Sequence, residues 1–469
     1  MCSKNNYPIL TCLFVTLLHL LGAEILQIPS DYPTIQAGID NASAGDTVLV
    51  SPGTYYENLH FPSYNLILGS QFITTGDTAY IAQTILDGDR RGSVVTIQGN
   101  QGAETRLSGF TVSNGSGTGY LVDGTTFYTN QAQYCGGGLF IRNSAPVLDH
   151  LIISGNHLSL EPSASLGGGI YCEHSQLTMS QSHFVNNSAY TGGGLILNTA
   201  VTHLEDIVIA ENMAYSCAGI YALGSSLECN RMSVTQNTGD IYYLSSVVLA
   251  DCPNTFLEYV QITDNLELGL TVFGCDPILS HMTIANNTNT GWSMQLLVGP
   301  TSHAIIENSI IWSESGSAIA CLGQTDEHIA ILSVEYSTVT NGIDGVHADQ
   351  FSIVNWYQGN LGGDPIFQSA DDGNYLLSGL SPCIDAGNPE SPFDPDSTVT
   401  DQGARIFNQS LYCLQPGDLT GDGWVNLLDI VLIISCILGD YESCICGDVN
   451  SDGLVDATDI VAAVDMILN

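Results

Sequence analysis

Four glycine-rich stretches recur along the middle of the chain: Tyr134-Cys135-Gly136-Gly137-Gly138-Leu139, Leu166-Gly167-Gly168-Gly169-Ile170, Thr191-Gly192-Gly193-Gly194-Leu195 and Ser216-Cys217-Ala218-Gly219-Ile220. Their last glycines fall at 138, 169, 194 and 219, steps of 31, 25 and 25. Asparagines recur on the same period, at Asn187, Asn212, Asn237, Asn265 and Asn287, with steps of 25, 25, 28 and 22. A period near 25 is too short for paired helices, and each period holds about three strands of three to five residues, such as Gly194 to Leu197, Val201 to Leu204 and Ile207 to Ile209. Strands that short bury a face only by stacking on their equivalents in the next period. The expected architecture is a right-handed parallel β-helix, with strands bonded to the coils above and below at about 4.8 Å and alternate side chains turned into a narrow apolar interior. Asparagine is expected at one corner, tolerating a left-handed backbone and stacking its amide on its copies. Glycine is expected at another corner, where it supplies positive φ.

Charge narrows the function classes. Lys+Arg number 7 against 48 Asp+Glu, a formal net charge of -41 over 469 residues. Nothing here neutralises a run of phosphates, so nucleic-acid binding is not expected. Only 12% of residues are charged while 44% are apolar and 49 are glycine, which is not the composition of a disordered acidic tail. Lys4 is the one lysine, so a mechanism that needs a lysine is excluded from the rest of the chain.

Residues 1–23 read as a signal peptide, with Lys4 in a short charged start, an apolar run from Ile9 to Leu21 too short to span a bilayer comfortably, and cleavage near Ala23. Leu427 to Leu438 is also too short, so the chain is not expected to span a membrane. The expected location is secreted, extracellular or at the cell surface. There the twelve cysteines beyond Cys2 and Cys12 can form disulfides, whose connectivity the sequence leaves open. Cys252 and Cys275, 23 apart, are expected to face one another from neighbouring coils, as a disulfide or a thiol stack.

The opening Ile28-Pro29-Ser30-Asp31-Tyr32-Pro33-Thr34-Ile35-Gln36-Ala37, followed by Gly45-Asp46-Thr47-Val48 and Pro52-Gly53-Thr54-Tyr55, resembles the start of pectate-lyase-like right-handed parallel β-helix surface proteins. That resemblance implies a capping helix at Thr34 to Asp40 and a first strand at Thr47 to Val50. Asp364-Pro365-Ile366-Phe367 and Ser381-Pro382-Cys383-Ile384-Asp385-Ala386-Gly387 resemble the end of bacterial surface β-helices. The expected organisation is a β-helix over 24–408, a linker at 409–417 and a small helical module over 418–469.

The last segment carries the clearest chemistry. Residues 418–429 and 448–459 share one pattern of oxygen-bearing side chains, offset by 30. Calcium takes six to eight oxygens, and a twelve-residue loop supplies them from positions 1, 3, 5, 7, 9 and 12 around a glycine at 6. The first loop offers Asp418, Thr420, Asp422, the Trp424 carbonyl, Asn426 and Asp429. The second offers Asp448, Asn450, Asp452, the Leu454 carbonyl, Asp456 and Asp459. Gly423 and Gly453 make the turns, and two calcium ions are expected. Each loop leads into an apolar helix, Leu427 to Leu438 and Thr458 to Leu468. This duplication, with Asp at position 12, resembles type I dockerin repeats rather than a full EF-hand. Thr420 departs from the usual Asp or Asn. The resemblance implies a cohesin-like partner met by Leu427 and Leu428 and by Ala457 and Thr458. The two pairs differ, which argues against two equivalent docking modes.

No catalytic signature emerges. Asp371-Asp372 is read as a solvated turn and Asp87-Gly88-Asp89-Arg90-Arg91 as a charged coil turn. His183 and His203 are read as strand histidines. Tyr242, Tyr243, Trp292 and Trp312 suit either sugar stacking or coil packing. The expectation is a surface protein that recognises a polysaccharide or another surface ligand and docks through its calcium module. The alternative is a tethered polysaccharide lyase or O-glycosyl hydrolase.

Overall fold

The computed structural model describes residues 23–122, 132–161, 165–239, 245–288, 294–314, 317–409, 416–420, 424–439, 445–450, 452 and 454–468. The signal-peptide stretch 1–22 lies outside them, as do Tyr242, Tyr243, Trp292, Asp422, Gly423 and Gly453.

The period of about 25 residues is one turn of a parallel β-helix, repeated about 12 times. In-register stacking follows from the repeat, because each inward residue meets its equivalent one coil away. Met179, Leu204, Cys229, Leu257, Leu279 and Ile306 form one such stack. Phe184, Ile209, Val234, Ile262, Ile284 and Ile311 form a second on the next face. Leu197, Ala222, Leu249, Val272, Val298 and Cys321 form the third, in an 11-stranded sheet. Each member of the three stacks is fully buried.

A 20-stranded sheet fuses two of the faces. Val201–Ala210, expected as two strands, is one ten-residue strand that turns the corner at Asp206, whose φ is 54°. Gln176–Val185 and Ser226–Thr235 bend the same way at Gln181 and Arg231. The glycine steps have two roles. Gly136, Gly167 and Gly192 sit at φ 61°, 67° and 67°. The last glycine of each triplet has no room for a side chain, since a Cβ on Gly194 would lie 2.8 Å from the Gly219 carbonyl oxygen of the next coil.

The asparagine corner differs from expectation in one respect. The left-handed residue is the one before each ladder asparagine: Gly155, Asn186, Glu211, Gln236, Asp264 and Asn286. The asparagines themselves turn inward and are fully buried. Nδ2 of Asn156, Asn187, Asn212, Asn237 and Asn265 donates to Oδ1 of the next at 2.9, 3.0, 3.0, 2.9 and 2.8 Å. Asn287 closes the ladder on Gln295 Oε1 at 2.8 Å. An inward amide is compatible with the buried face because it satisfies both the ladder and nearby backbone carbonyls.

The capping helix is Ile35–Asn41, with Thr34 Oγ1 accepting from Ala37 N as its N-cap. The first strand is Ile25–Ile28, ahead of the expected one; it pairs in parallel with Thr47–Val50 because its alternating pattern buries Leu26 and Ile28. After the last coil the chain turns back and runs along the outside of the rod. Tyr375 Oη donates to Asp264 at 2.6 Å, Asn388 Nδ2 to Glu307 at 2.7 Å and Ala404 N to Thr283 at 2.9 Å. Among the described residues no helix is long and apolar enough to cross a membrane.

Candidate functional site

The corner at Asp206 recurs, and so does what it presents. His150, Gln181, Asp206, Arg231, Tyr259 and His281 each occupy the left-handed bend of successive coils, at φ between 46° and 55°. All six line one groove of about 1180 Å³. At about 4.8 Å per coil the column is about 24 Å long. Two residues on, Ile152, His183, Val208, Ser233 and Gln261 continue the floor. Thr78, Ile81 and Ala82, from the short helix Ala79–Gln83 and its N-cap, border it on one side. The returning tail borders it on the other with Pro392, Phe393, Asp394 and Arg405.

The tail wall is fixed by a hydrogen-bonded chain. Thr400 Oγ1 donates to Asp394 at 3.1 Å and therefore accepts from His281 Nε2 at 2.9 Å, while Ser280 Oγ supplies the proton to His281 Nδ1 at 2.9 Å. Burial pushes the His281 imidazole down to about 4, so it is neutral. Its ring stacks on Tyr259 at 4.5 Å. Burial lifts the Tyr259 phenol to about 12.

Arg231 is consumed by the protein. Its Nε lies 2.6 Å from Asp206 Oδ1, its Nη2 lies 3.0 Å from Asp206 Oδ2 and 2.6 Å from Glu205, and Nη1 donates to Asn230 at 2.8 Å. That bidentate contact holds the Asp206 carboxyl below its ordinary range. Glu258 accepts from Asn230 Nδ2 at 3.0 Å, and burial raises its carboxyl above the usual value. Among the described residues Arg405 reaches Gln261 Oε1, at 3.4 Å.

These residues carry no motif, but they do carry a spacing: each member of the bend column stands six residues before a ladder asparagine. The residues singled out from sequence mostly lie elsewhere. Arg91 pairs with Asp89 at 3.5 Å on an exposed turn away from the groove, and Asp372 accepts from Ser369 Oγ at 2.6 Å in a turn. His203 faces Glu228 at 3.5 Å and Trp312 packs on the Ile310 cluster, whereas His183 is in the groove. Cys252 and Cys275 are buried thiols of consecutive coils, without a disulfide between them. Their Sγ atoms approach the Ala250 and Phe273 carbonyls at 3.3 and 3.1 Å.

The C-terminal module is built around two helices, Leu427–Leu438 and Ala457–Leu468. Asn426 and Asp429 form a capping box on the first. Ile430, Ile433 and Ala463 make the small core. Asp429 accepts from Thr420 N and Asn426 N, both at 2.9 Å. Asp459 accepts from Val449 N at 2.8 Å, Asn450 N at 3.1 Å and Asp456 N at 2.8 Å. Asp452 N donates to Asp448 at 3.0 Å, Leu454 N to Asp452 at 3.0 Å, and Asp456 accepts from Thr458 Oγ1 at 2.7 Å. Asp418 accepts from Thr420 Oγ1 at 3.1 Å, and Asn426 Nδ2 donates to the Trp424 carbonyl at 3.2 Å. Cys436 and Cys446 each take part in a disulfide.

Among the described residues, three or more His, Cys, Asp or Glu side chains do not converge into a cation cage. The donor chemistry nevertheless fits one. Asp429 and Asp459 are fully buried carboxylates, and no lysine or arginine follows Arg405 in the sequence. Buried charge without a counter-ion is costly, and a hard divalent cation removes that cost. Of the expected docking residues, Leu427 is 74% and Leu428 56% exposed, and Ala457 and Thr458 are exposed as well.

Residues 416–468 match the family model of the dockerin type I domain. This segment is a dockerin type I domain, a module that binds calcium and docks to a partner. No curated protein matches the chain. Among solved structures, it is similar to the A-module of mannuronan C-5 epimerase AlgE6 from Azotobacter vinelandii, at 13% identity over 71% of this chain and 94% of that one, with a TM-score of 0.33. It is similar to pectate lyase Pel9A at 11% identity over 82% and 96%, TM-score 0.35. A PL6 alginate lyase complex with trisaccharide follows at 10% over 72% and 86%, TM-score 0.34.

Proposed function

We propose that the chain is an exported rod that holds a polysaccharide in the groove along its bend column and docks to a cohesin-like protein through its dockerin domain. The observation that carries this reading is the column itself. Six successive coils, His150 to His281, each place a polar or aromatic side chain in one walled groove. A ligand that repeats along its length suits a site that repeats along its length. Tyr259 and Phe393 offer ring surface to sugar C–H groups, while Gln181, His183 and Ser233 offer hydrogen-bonding groups.

In the dockerin domain, two calcium ions take the oxygens of Asp418, Thr420, Asp422, Trp424, Asn426 and Asp429, and of Asp448, Asn450, Asp452, Leu454, Asp456 and Asp459. Leu427 and Leu428, with Ala457 and Thr458, meet the partner. Carriage of a dockerin supports a secreted or cell-surface location.

Cleavage of the held polymer is a second reading, favoured by the carboxyl groups of Asp206, Glu258 and Asp394 that line the same groove, since glycoside hydrolysis needs two carboxyl groups about one bond. Incubation of the intact chain with a panel of polysaccharides separates the readings. Retention without new reducing ends or unsaturated products supports the binder, and release of either product supports cleavage. Tyr259→Ala weakens retention tenfold or more if the groove is the site; unchanged retention refutes the groove.

A further inference from the structure

We infer that the groove accepts a neutral, hydroxyl-rich polysaccharide rather than a polyuronate, an inference that rests on reading the groove as a polymer site.

The charges on its walls decide this. Asp206, Glu258 and Asp394 are its carboxylates and Arg231 and Arg405 its guanidiniums. Arg231 is committed to the protein: Glu205, Asp206 and Asn230 take four of its five N–H groups, and the two carboxylates already offset its charge. His281 is buried between Ser280 and Thr400 and neutral. Arg106, outside the groove lining, is held by Asp149 at 2.6 Å. Arg405 alone is left without a carboxylate partner among the groove's described residues, and it is exposed. A polyuronate laid along about 24 Å of coils would therefore meet the Arg405 cation, the carboxylates of Glu258 and Asp394, an Arg231 cluster whose two carboxylates, Glu205 and Asp206, leave it net negative, and a chain of net charge -41. Each uncompensated like-charge contact opposes binding, most strongly at low salt.

A neutral polymer meets no such opposition. Carboxylates are strong acceptors for sugar hydroxyls, and Glu258, with one oxygen bonded to Asn230, and the exposed Gln181 line the groove. Tyr259, Phe393 and Leu376 supply the apolar contact.

Binding of the intact, calcium-loaded chain to β-glucan, mannan and xylan, and to polygalacturonate and alginate, is measured at 50 and 500 mM NaCl. The expected result is binding of at least one neutral polymer, with a dissociation constant that changes less than about twofold with salt. The Glu258→Gln variant adds a sign. It removes a charged acceptor, so a neutral polymer is held about tenfold more weakly, whereas a polyuronate would be held more tightly. Polyuronate binding with neutral polymers unbound, or tighter binding by Glu258→Gln, overturns the inference and leaves the polymer reading standing. Failure of both classes to bind overturns the polymer reading as well.

Discussion

Removing one rung of the asparagine ladder should cost far more than removing any neighbouring surface side chain. Asn212 is fully buried. Its Oδ1 accepts from Asn187 N and Asn187 Nδ2, both at 3.0 Å. Its Nδ2 donates to the Phe184 carbonyl, the Ala210 carbonyl and Asn237 Oδ1, each at 3.0 Å. Asn212→Ala leaves the Asn187 backbone N–H, a buried donor, without its acceptor and thins the bonding of Phe184 O and Asn237 Oδ1. At about 1–3 kcal/mol for the one buried donor left unpaired, and about 1 kcal/mol more for bonds lost by groups that keep other partners, the loss comes to about 2–4 kcal/mol. Glu211, one residue earlier, is the control: it is exposed and sits at φ 56°. Glu211→Gly relieves a left-handed backbone and should be neutral or stabilising by up to about 1 kcal/mol. Both are read from urea midpoints at constant m-value, followed by strand-specific circular dichroism so that the helical module does not contribute. A loss below about 1 kcal/mol for Asn212→Ala would refute the view that the ladder, rather than apolar stacking alone, fixes the coil.

Three further outcomes follow from the same structure. Calcium chelation should abolish the helical circular dichroism of 416–468 and leave the strand signal intact, because the buried Asp429 and Asp459 then lack a counter-ion; retention of the helical signal would contradict this. Glu267 is buried with Oε1 unpaired among the described residues, and burial lifts its carboxyl from 4.5 to about 7. The native state thus holds the proton that the unfolded state releases, so stability falls as pH rises from about 4.5 to 7, by about 3 kcal/mol at most. Glu267→Gln should flatten that dependence in thermal melts between pH 4 and 8. Leu427→Ala with Leu428→Ala should reduce binding to a cohesin that the parent chain binds while changing stability by less than about 0.5 kcal/mol, as surface resonance and thermal melts would show.

The coil was legible because its determinants are local and periodic. A 25-residue step in glycine and asparagine leaves stacking as the one way to bury three-residue strands, and the stacks led by Met179 and Phe184 realise it. The dockerin loops were legible because each is a contiguous twelve-residue pattern. The corner was misread at one position: an inward asparagine and a left-handed neighbour give the same sequence signal, and only the backbone separates Asn212 from Glu211. The groove was not legible as a motif. Its column varies freely in residue type, from Gln181 to Tyr259, since a bend whose side chain turns away from the coil interior constrains φ more than chemistry. Its second wall depends on contacts such as His281 with Thr400 and Ala404 with Thr283, which join residues more than a hundred positions apart. The local charge cluster Asp89-Arg90 drew attention for its composition, but charge density alone does not make a concave surface.

Hydrogen–deuterium exchange on the intact chain, with and without a saturating polysaccharide ligand, tests the central claim most directly. Protection should gather in Thr78 to Ala82, in the bend segments around Asp206, Arg231 and Tyr259, and in the tail from Pro392 to Ile406. Protection confined to the glycine-rich face around Gly138, Gly169 and Gly194, with the bend column unchanged, would contradict it.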